Sequence, residues 1–162
     1  NLGPGQTATL TAAVTPSNPA NMTVWYRNGV VVPGVTGLSL IVGIDALGTY
    51  TARTTTTAAC TALSNAITIS DTTSNRLFIT PNPNNGRFKV RFYSSAAQFG
   101  MLRHLVMYAE NGQKVYDRTF PITATYNSMD VDARHLAKGF YIVRITDAAG
   151  KEILATGKVI LQ

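Results

Sequence analysis

The sequence is poor in charged residues and in the residue types that build catalytic or metal sites. Charged residues make up only 14% of its 162 residues, whereas roughly 25% is usual in a soluble domain. It has one cysteine, Cys60, so no disulfide can form within the chain. No apolar run approaches the ~20 residues that cross a bilayer, so a membrane-spanning segment is not expected. A hydrophobic content of 45% nevertheless excludes wholesale disorder.

The chain begins without methionine, and its first five residues have the Gly/Pro-rich composition of a linker. No basic segment followed by an apolar stretch precedes the first folded pattern, so we expect no signal peptide in this sequence. We therefore expect the chain to be the end of a larger protein. The single cysteine fits either a reducing compartment or an oxidising one in which cysteine is avoided.

The net charge of +6 belongs to one half of the chain. Residues 1–74 contain two basic and two acidic residues, whereas residues 75–162 contain 12 basic and 6 acidic ones. Such an asymmetry predicts two units with different partners.

Short runs of β-branched and aromatic residues, separated by Gly, Pro, Asn and Asp, predict an all-β chain. Turn signals recur about every 8–12 residues, which is typical of β-sandwiches. We expect two tandem β-sandwich, immunoglobulin-like domains at residues 1–70 and 77–162, joined by a polar linker at 71–76. The expected strands are 7–14, 22–27, 30–32, 38–42, 48–54 and 65–70 in the first domain, and 77–80, 87–92, 105–109, 114–120, 126–131, 139–146 and 153–161 in the second.

The first half resembles a bacterial immunoglobulin-like domain. Trp25 lies on an early strand, where such sandwiches place a core tryptophan. Residues 45–50 (DALGTY) match a tyrosine corner, in which the Tyr50 hydroxyl bonds back to the backbone near Asp45. Ala52 stands where a cysteine of the inter-sheet disulfide would be, so core packing must replace that bond.

The second half carries an ordered set of motifs: residues 80–83 (TPNP) with 85–88 (NGRF), then 107–115 (MYAENGQKV), 136–143 (LAKGFYIV) and 157–161 (GKVIL). In this order they resemble the type A C-terminal sorting domain of proteins exported by the type IX secretion system of Bacteroidetes. The resemblance covers residues 77–162. The sequence departs from the family pattern at two positions. Ala109 stands where the family prefers Asp, and Phe140 is a conservative change within the G-x-Y motif.

The resemblance implies an address signal without catalytic activity. Such domains direct a folded cargo through an outer-membrane translocon, with a shuttle protein, to the cell surface or the medium, and a surface sortase then usually removes them near the linker. The implied cleavage region is Asp71, Thr72, Thr73, Ser74, Asn75 and Arg76. The implied recognition residues are Lys158, Val159, Ile160 and Leu161, and deleting residues 158–162 is expected to block export while the rest still folds.

The remaining motif residues are interpreted as structural: Pro81, Asn82, Pro83, Gly86, Gly112, Gly139 and Tyr141. The prolines and glycines would set turn geometry, and Tyr141 would fill the core. The terminal strand at 153–161 is a candidate edge for strand addition by a partner. Ordinary pairing within the sandwich is the open alternative.

Arg87, Lys89 and Arg91 alternate along one strand and form a stripe of three cations on one face. This stripe could meet an acidic partner or anionic lipopolysaccharide, or it could be a solvated face that protects an edge from aggregation. Nucleic acid is not expected as a partner, because Phe88 and Phe92 point away from the cations.

A carbohydrate-binding or adhesive pair of sandwiches is the alternative function. Sugar platforms need exposed aromatic rings, whereas Trp25 is expected in the core and Tyr26, Tyr93 and Tyr126 are scattered. An enzyme ranks lowest, because no catalytic constellation is evident. A histidine site would need His104 or His135 to be oriented by a carboxylate and to face a nucleophile. We expect no metal or cofactor, since Asp130 and Asp132 alone cannot supply the 6–8 oxygens of a calcium site.

Overall fold

The computed structural model describes residues 1–15, 18 and 21–162. This part of the chain forms two compact units, Asn1–Thr72 (unit 1) and Thr73–Gln162 (unit 2). The expected linker limits at residues 71 and 76 stay a prediction.

The described residues of unit 1 form two antiparallel sheets, as the alternating pattern predicts. One sheet pairs β1 with β4, and the other has the order β3-β2-β5-β6, with β7 pairing to β5 as well. The expected strand at 65–70 is present as the shorter β7, and a further strand that was not predicted, β6, pairs with the same strand β5. The strands are β1 (Thr7–Thr11), β2 (Met22–Arg27), β3 (Val30–Val31), β4 (Ser39–Gly43), β5 (Gly48–Thr55), β6 (Thr61–Leu63) and β7 (Ile67–Ile69).

The core of unit 1 lies between these two sheets. Leu10 of β1 and Val42 of β4 meet Trp25 of β2, and all three are buried. Trp25 pairs in register with Ala52, and its indole N–H donates to the Gly37 carbonyl at 2.9 Å. The expected core position of Trp25 is therefore confirmed, and apolar packing occupies the place of the missing disulfide.

Unit 2 is a second sandwich of two antiparallel sheets, with orders β11-β10-β13-β14 and β12-β9-β8. Tight turns join β10 to β11 and β13 to β14, so each of these pairs forms a hairpin. Its strands are β8 (Phe78–Thr80), β9 (Arg87–Arg91), β10 (Leu102–Tyr108), β11 (Lys114–Pro121), β12 (Met129–Asp132), β13 (Gly139–Thr146) and β14 (Ile153–Leu161).

Alternate residues of these strands build the core of unit 2. Leu105 and Met107 of β10 and Val143 and Ile145 of β13 are fully buried, and they face β9 and β12 across the sandwich. Burying each such side chain stabilises the fold by roughly 1.5–3 kcal/mol. The fold class predicted from the sequence, all-β with two sandwiches, is thereby confirmed.

Both units carry a tyrosine corner at the start of a central strand. The Tyr50 hydroxyl donates to the Ala46 carbonyl, as predicted, and the Tyr141 hydroxyl donates to the Ala137 carbonyl at 2.7 Å. In each case a glycine two residues before the tyrosine has a positive φ, +150° at Gly48 and +152° at Gly139, which side-chain-bearing residues rarely adopt. The shared A-x-G-x-Y pattern is the signal that could have revealed the second corner, which the sequence reasoning missed.

Replacing Tyr141 by phenylalanine should destabilise unit 2 by about 1–2 kcal/mol, because the Ala137 carbonyl loses a part-buried hydrogen-bond donor. Amide hydrogen exchange at Val143 in the unit 2 core measures the effect, and fluorescence of the only tryptophan, Trp25, reports separately on unit 1. Tyr93→Phe is the matched control. Equal Val143 exchange in the Tyr141→Phe and Tyr93→Phe variants would contradict the role of the corner.

Candidate functional site

The terminal strand β14 is the outermost strand of its sheet and pairs with β13 along its length. Its last residues alternate between two environments. Val159 and Leu161 are 0% and 4% exposed and belong to the core, whereas Lys158 and Ile160 project outward. Only the latter two side chains are therefore available to a partner.

Because two of the last residues of β14 are buried, deleting residues 158–162 is expected to affect folding as well as recognition, contrary to the sequence-based expectation. Val159 and Leu161 pack in the core of unit 2, so the deletion would remove two core side chains as well as an exposed surface. Such losses cost several kcal/mol each. Point substitutions of the outward residues separate recognition from folding, and the deletion does not.

The loop between β8 and β9 closes the outer edge of the terminal strand. The Asn82 side chain donates from Nδ2 to the Lys158 carbonyl at 2.9 Å and accepts at Oδ1 from the Ile160 N–H at 3.0 Å. The Asn84 N–H donates to the Ile160 carbonyl at 3.0 Å, and the Asn84 carbonyl accepts from the Gln162 N–H at 2.8 Å. We call these four hydrogen bonds the edge clasp. Through it, a loop of one sheet is bonded to the edge strand of the other.

The clasp loop is held in shape by its own short-range contacts. Asn84 is buried, and its side chain donates to the Pro81 carbonyl at 3.2 Å and accepts from the Gly86 N–H at 2.8 Å. Gly86 has φ +91°, and a Cβ there would lie 2.8 Å from the Arg134 Cα. Pro81, Pro83 and Gly86 therefore set a turn, as expected. Asn82 does more than that, because it contacts the strand that the resemblance marks for recognition.

Two further glycines of the motifs, Gly112 and Gly157, lie where the structure favours a residue without a side chain. Gly112 lies in the β10–β11 turn with φ +81°, which supports a turn role. Gly157 of β14 was not singled out from the sequence, but a Cβ at this position would approach Leu77 and Ile79 side-chain atoms at 3.1 Å. The second sheet therefore packs tightly against the terminal strand at this point.

The expected stripe of three exposed cations is wrong at Arg91. Arg87 and Lys89 are exposed, but Arg91 is 9% exposed, and its Nη1 donates to the Tyr126 carbonyl at 2.7 Å. The strict alternation ends there because the chain near Tyr126 folds over the last residue of β9. A period-two pattern on one strand cannot show which loop covers its end.

The two exposed cations of the stripe face carboxylates on the neighbouring strand. Lys89 pairs in register with Asp130, with Nζ 2.7 Å from Oδ1, and Arg87 pairs with Asp132, with Nε 3.5 Å from Oδ2. Because all four side chains are at least half exposed to water, pairs of this kind contribute little to stability. The stripe thus carries much of its own countercharge.

Asp132 also holds the chain that follows its own strand. Hydrogen bonds from the Arg134 guanidinium, 2.7 Å from Asp132 Oδ2 at the closest, keep the pKa of Asp132 well below its ordinary value. Backbone and charge interactions with Arg134, and the charge of Arg87, act in the same direction. The charged form is therefore favoured by folding.

The predicted cleavage region joins the two units and has two different parts. Asp71 forms a bridge with Leu2, and the Thr72 N–H donates to the Leu2 carbonyl at 2.9 Å, so both residues are bonded to unit 1. Residues 73–76 belong to unit 2 and lie outside the regular strands, with Thr73, Asn75 and Arg76 exposed. Exposed backbone without strand pairing is the kind of segment that proteases cut.

Among the residues suited to chemistry, His104 has a carboxylate beside it, which the sequence did not predict. Cys60 is exposed and unpaired. His104 lies 3.4 Å from Asp117 and 3.1 Å from the Ala148 carbonyl through its two ring nitrogens. Across residues 1–15, 18 and 21–162, no three His, Cys, Asp or Glu residues are grouped in a way that could hold a metal. None of the helices among these residues is long and apolar enough to span a bilayer.

Comparison with known proteins identifies the second unit. The family model described as the secretion system C-terminal sorting domain matches residues 78–162, more than half of the chain. The chain therefore belongs to the family of proteins that carry this sorting domain. Unit 2 is a sorting signal of a secretion system, as its motifs predicted.

Solved structures of low identity are also similar to this chain. Fibronectin(III)-like modules of CbhA from Clostridium thermocellum are 11% identical, with 99% of this chain and 86% of that chain covered and a TM-score of 0.35. The amphioxus IgVJ-C2 molecule is 10% identical, with 98% and 96% covered and a TM-score of 0.34. A comparison with curated proteins found no match.

Replacing Asn82 by alanine should loosen the end of β14, because the Ile160 N–H and the Lys158 carbonyl both lose their partner. Each lost bond is worth about 0.5–1.5 kcal/mol. Hydrogen exchange at the Ile160 amide should accelerate, while exchange at the buried Val143 amide changes less. Asn85→Ala, two residues before β9 and outside the clasp, is the control. Unchanged Ile160 exchange would show that the clasp does not hold the strand.

Replacing Asp132 by asparagine should reduce the acid sensitivity of unit 2. Because folding lowers the pKa of Asp132, its contribution is present above the ordinary Asp pKa of about 4 and is lost as the pH falls toward the folded-state value. Urea unfolding followed by far-UV circular dichroism between about pH 6 and pH 2.5 measures this. Glu110→Gln is the control, and a wild-type-like loss of stability in Asp132→Asn would contradict the assignment.

Proposed function

We propose that this chain is a non-catalytic targeting module that directs a larger protein through the type IX secretion system to the cell surface or the medium. The observation that carries the proposal is the match of residues 78–162 to the sorting-domain family. The junction between the terminal strand and the 82–84 loop supports it, because it joins the first and last motifs of the domain in one bonded site.

The partners of the module are the outer-membrane translocon, a shuttle protein and a surface sortase. The outward residues of the terminal strand, Lys158 and Ile160, contact the recognition machinery, and Val159 and Leu161 keep the strand in place from inside the core. Cleavage by the sortase falls within residues 71–76, where the exposed positions from Thr73 onward favour protease access. The Arg87–Lys89 pair is a secondary contact for an acidic partner or anionic lipopolysaccharide.

Unit 1 acts as an immunoglobulin-like spacer between the cargo and the sorting domain. Its largest aromatic residue, Trp25, is buried, and its core is continuous from β1 to β5. A stable sandwich of this kind keeps the cleavage region away from a folded cargo. The alternative of a carbohydrate-binding or adhesive pair is less well supported, because Trp25 and Tyr126 are both buried and offer no sugar platform.

Fusing the full 162-residue chain to the C-terminus of a periplasmic reporter should move the reporter out of a type IX-competent cell. The reporter is measured in the medium and by protease accessibility at the cell surface. The matched control is the same fusion in a strain that lacks the translocon, where the reporter should stay in the periplasm. A reporter that remains periplasmic in both strains would refute the proposed function.

A further inference from the structure

The edge clasp restricts how a partner can contact the end of the terminal strand. The carbonyls of Lys158 and Ile160 and the N–H groups of Ile160 and Gln162 already have partners in the 82–84 loop. Strand addition needs such groups to be free. While the clasp is closed, a partner can reach this part of β14 only through side chains on the outer face of the sheet.

That outer face carries an apolar surface with two cations. The register places Phe140 opposite Ile160, and Ile142 between Tyr108 and Lys158. Phe140 and Ile160 are 41% and 42% exposed, although both are large and apolar. We call this surface the outer-face patch and define it by Tyr108, Phe140, Ile142, Arg144, Lys158 and Ile160.

Each cation of the patch lies over an aromatic ring. Lys158 Nζ is 5.9 Å from the centroid of the Phe140 ring, and Arg144 Cζ is 4.9 Å from the centroid of the Tyr108 ring. Within the described part of unit 2, the carboxylates that form ion pairs do so with other residues, and neither Lys158 nor Arg144 takes part in one. The Arg144 Nε is also buried without a hydrogen-bond partner. The patch therefore has two positive charges and no countercharge of its own.

Some other cations of unit 2 do have a carboxylate partner. Lys114, opposite Tyr108 on the other side, pairs with Asp117 at 2.8 Å. Lys89 and Arg87 on the other sheet pair with Asp130 and Asp132. Unpaired cations on rings, beside exposed apolar side chains, favour a partner that brings both carboxylates and apolar groups.

We propose that the outer-face patch is the surface through which the secretion machinery reads this domain, and that its partner is an acidic protein segment with apolar side chains next to its carboxylates. This proposal rests on the proposed function and names the surface that performs it. A protein is favoured over an anionic lipid, because lipid-binding surfaces usually cluster about 4–8 Lys or Arg residues, whereas this patch has two.

The test compares charge-reversed variants of the full-chain reporter fusion in a type IX-competent strain. Lys158→Glu should lower export about tenfold or more, because repulsion replaces attraction at the contact. Lys158→Arg should preserve export. Lys151→Glu, which makes the same change of net charge in the exposed β13–β14 turn, should leave export near the wild-type level. Ile160→Thr should reduce export, with Ile160→Val as its control.

Folding is checked on each purified chain by its urea midpoint and by Val143 amide exchange. Lys158 and Ile160 are exposed, so both measures should stay close to wild type, and any loss of export then reflects recognition. Wild-type export of the Lys158→Glu fusion would overturn the proposed recognition role of the patch, as would an equal loss of export in the Lys151→Glu fusion. Either result would leave the proposed function intact. Failure of the unaltered fusion to leave the periplasm would overturn the proposed function itself, and the patch with it.

A vesicle experiment distinguishes the protein partner from a lipid. The purified full chain is mixed with vesicles of phosphatidylethanolamine and phosphatidylglycerol in equal parts and sedimented. We expect no difference in binding between the wild type and Lys158→Glu. Binding by the wild type that Lys158→Glu abolishes would assign the patch to an anionic membrane surface and overturn the protein partner.

Discussion

The end of the chain is held in unit 2 by hydrogen bonds on both of its edges. On one side β14 pairs with β13, and on the other the 82–84 loop supplies a side-chain amide and a backbone N–H and carbonyl. The Asn82–Ile160 bond joins residues 78 positions apart, so it forms only when both sheets are assembled. Without it, the terminal strand would have a bare edge over its last residues.

The two faces of the terminal strand lie in different environments. Val159 and Leu161 pack inward against the core, and Lys158 and Ile160 face outward. Gly157 lets the opposite sheet approach closely just before them. A surface built on a strand that is paired on both edges is rigid, and rigid surfaces lose less entropy when a partner binds.

The positive charges of unit 2 differ in how far neighbouring carboxylates balance them. Arg87 and Lys89 of β9 meet carboxylates of β12 directly across the sheet. On the outer face of the other sheet, Lys158 and Arg144 lie over aromatic rings. Charge and exposed apolar surface therefore coincide at the terminal strand.

The sequence by itself determined the features that depend on local pattern. Alternation placed most strands within a few residues, Gly and Asn marked the hairpins, and the spacing in residues 45–50 predicted the tyrosine corner. The ordered motifs of residues 80–161 pointed to the sorting-domain family, because each motif can be read without knowing its spatial neighbours.

Only the tertiary structure decided which distant residues meet. The burial of Arg91 depends on the chain near Tyr126, the pairing of Lys89 depends on the register of β12, and the role of Asn82 depends on a strand near the other end of the unit. Strand periodicity shows which face a side chain takes, but it carries no information about the strand or loop that lies opposite. The edge clasp and the outer-face patch are both products of that pairing, so neither could be predicted from the sequence.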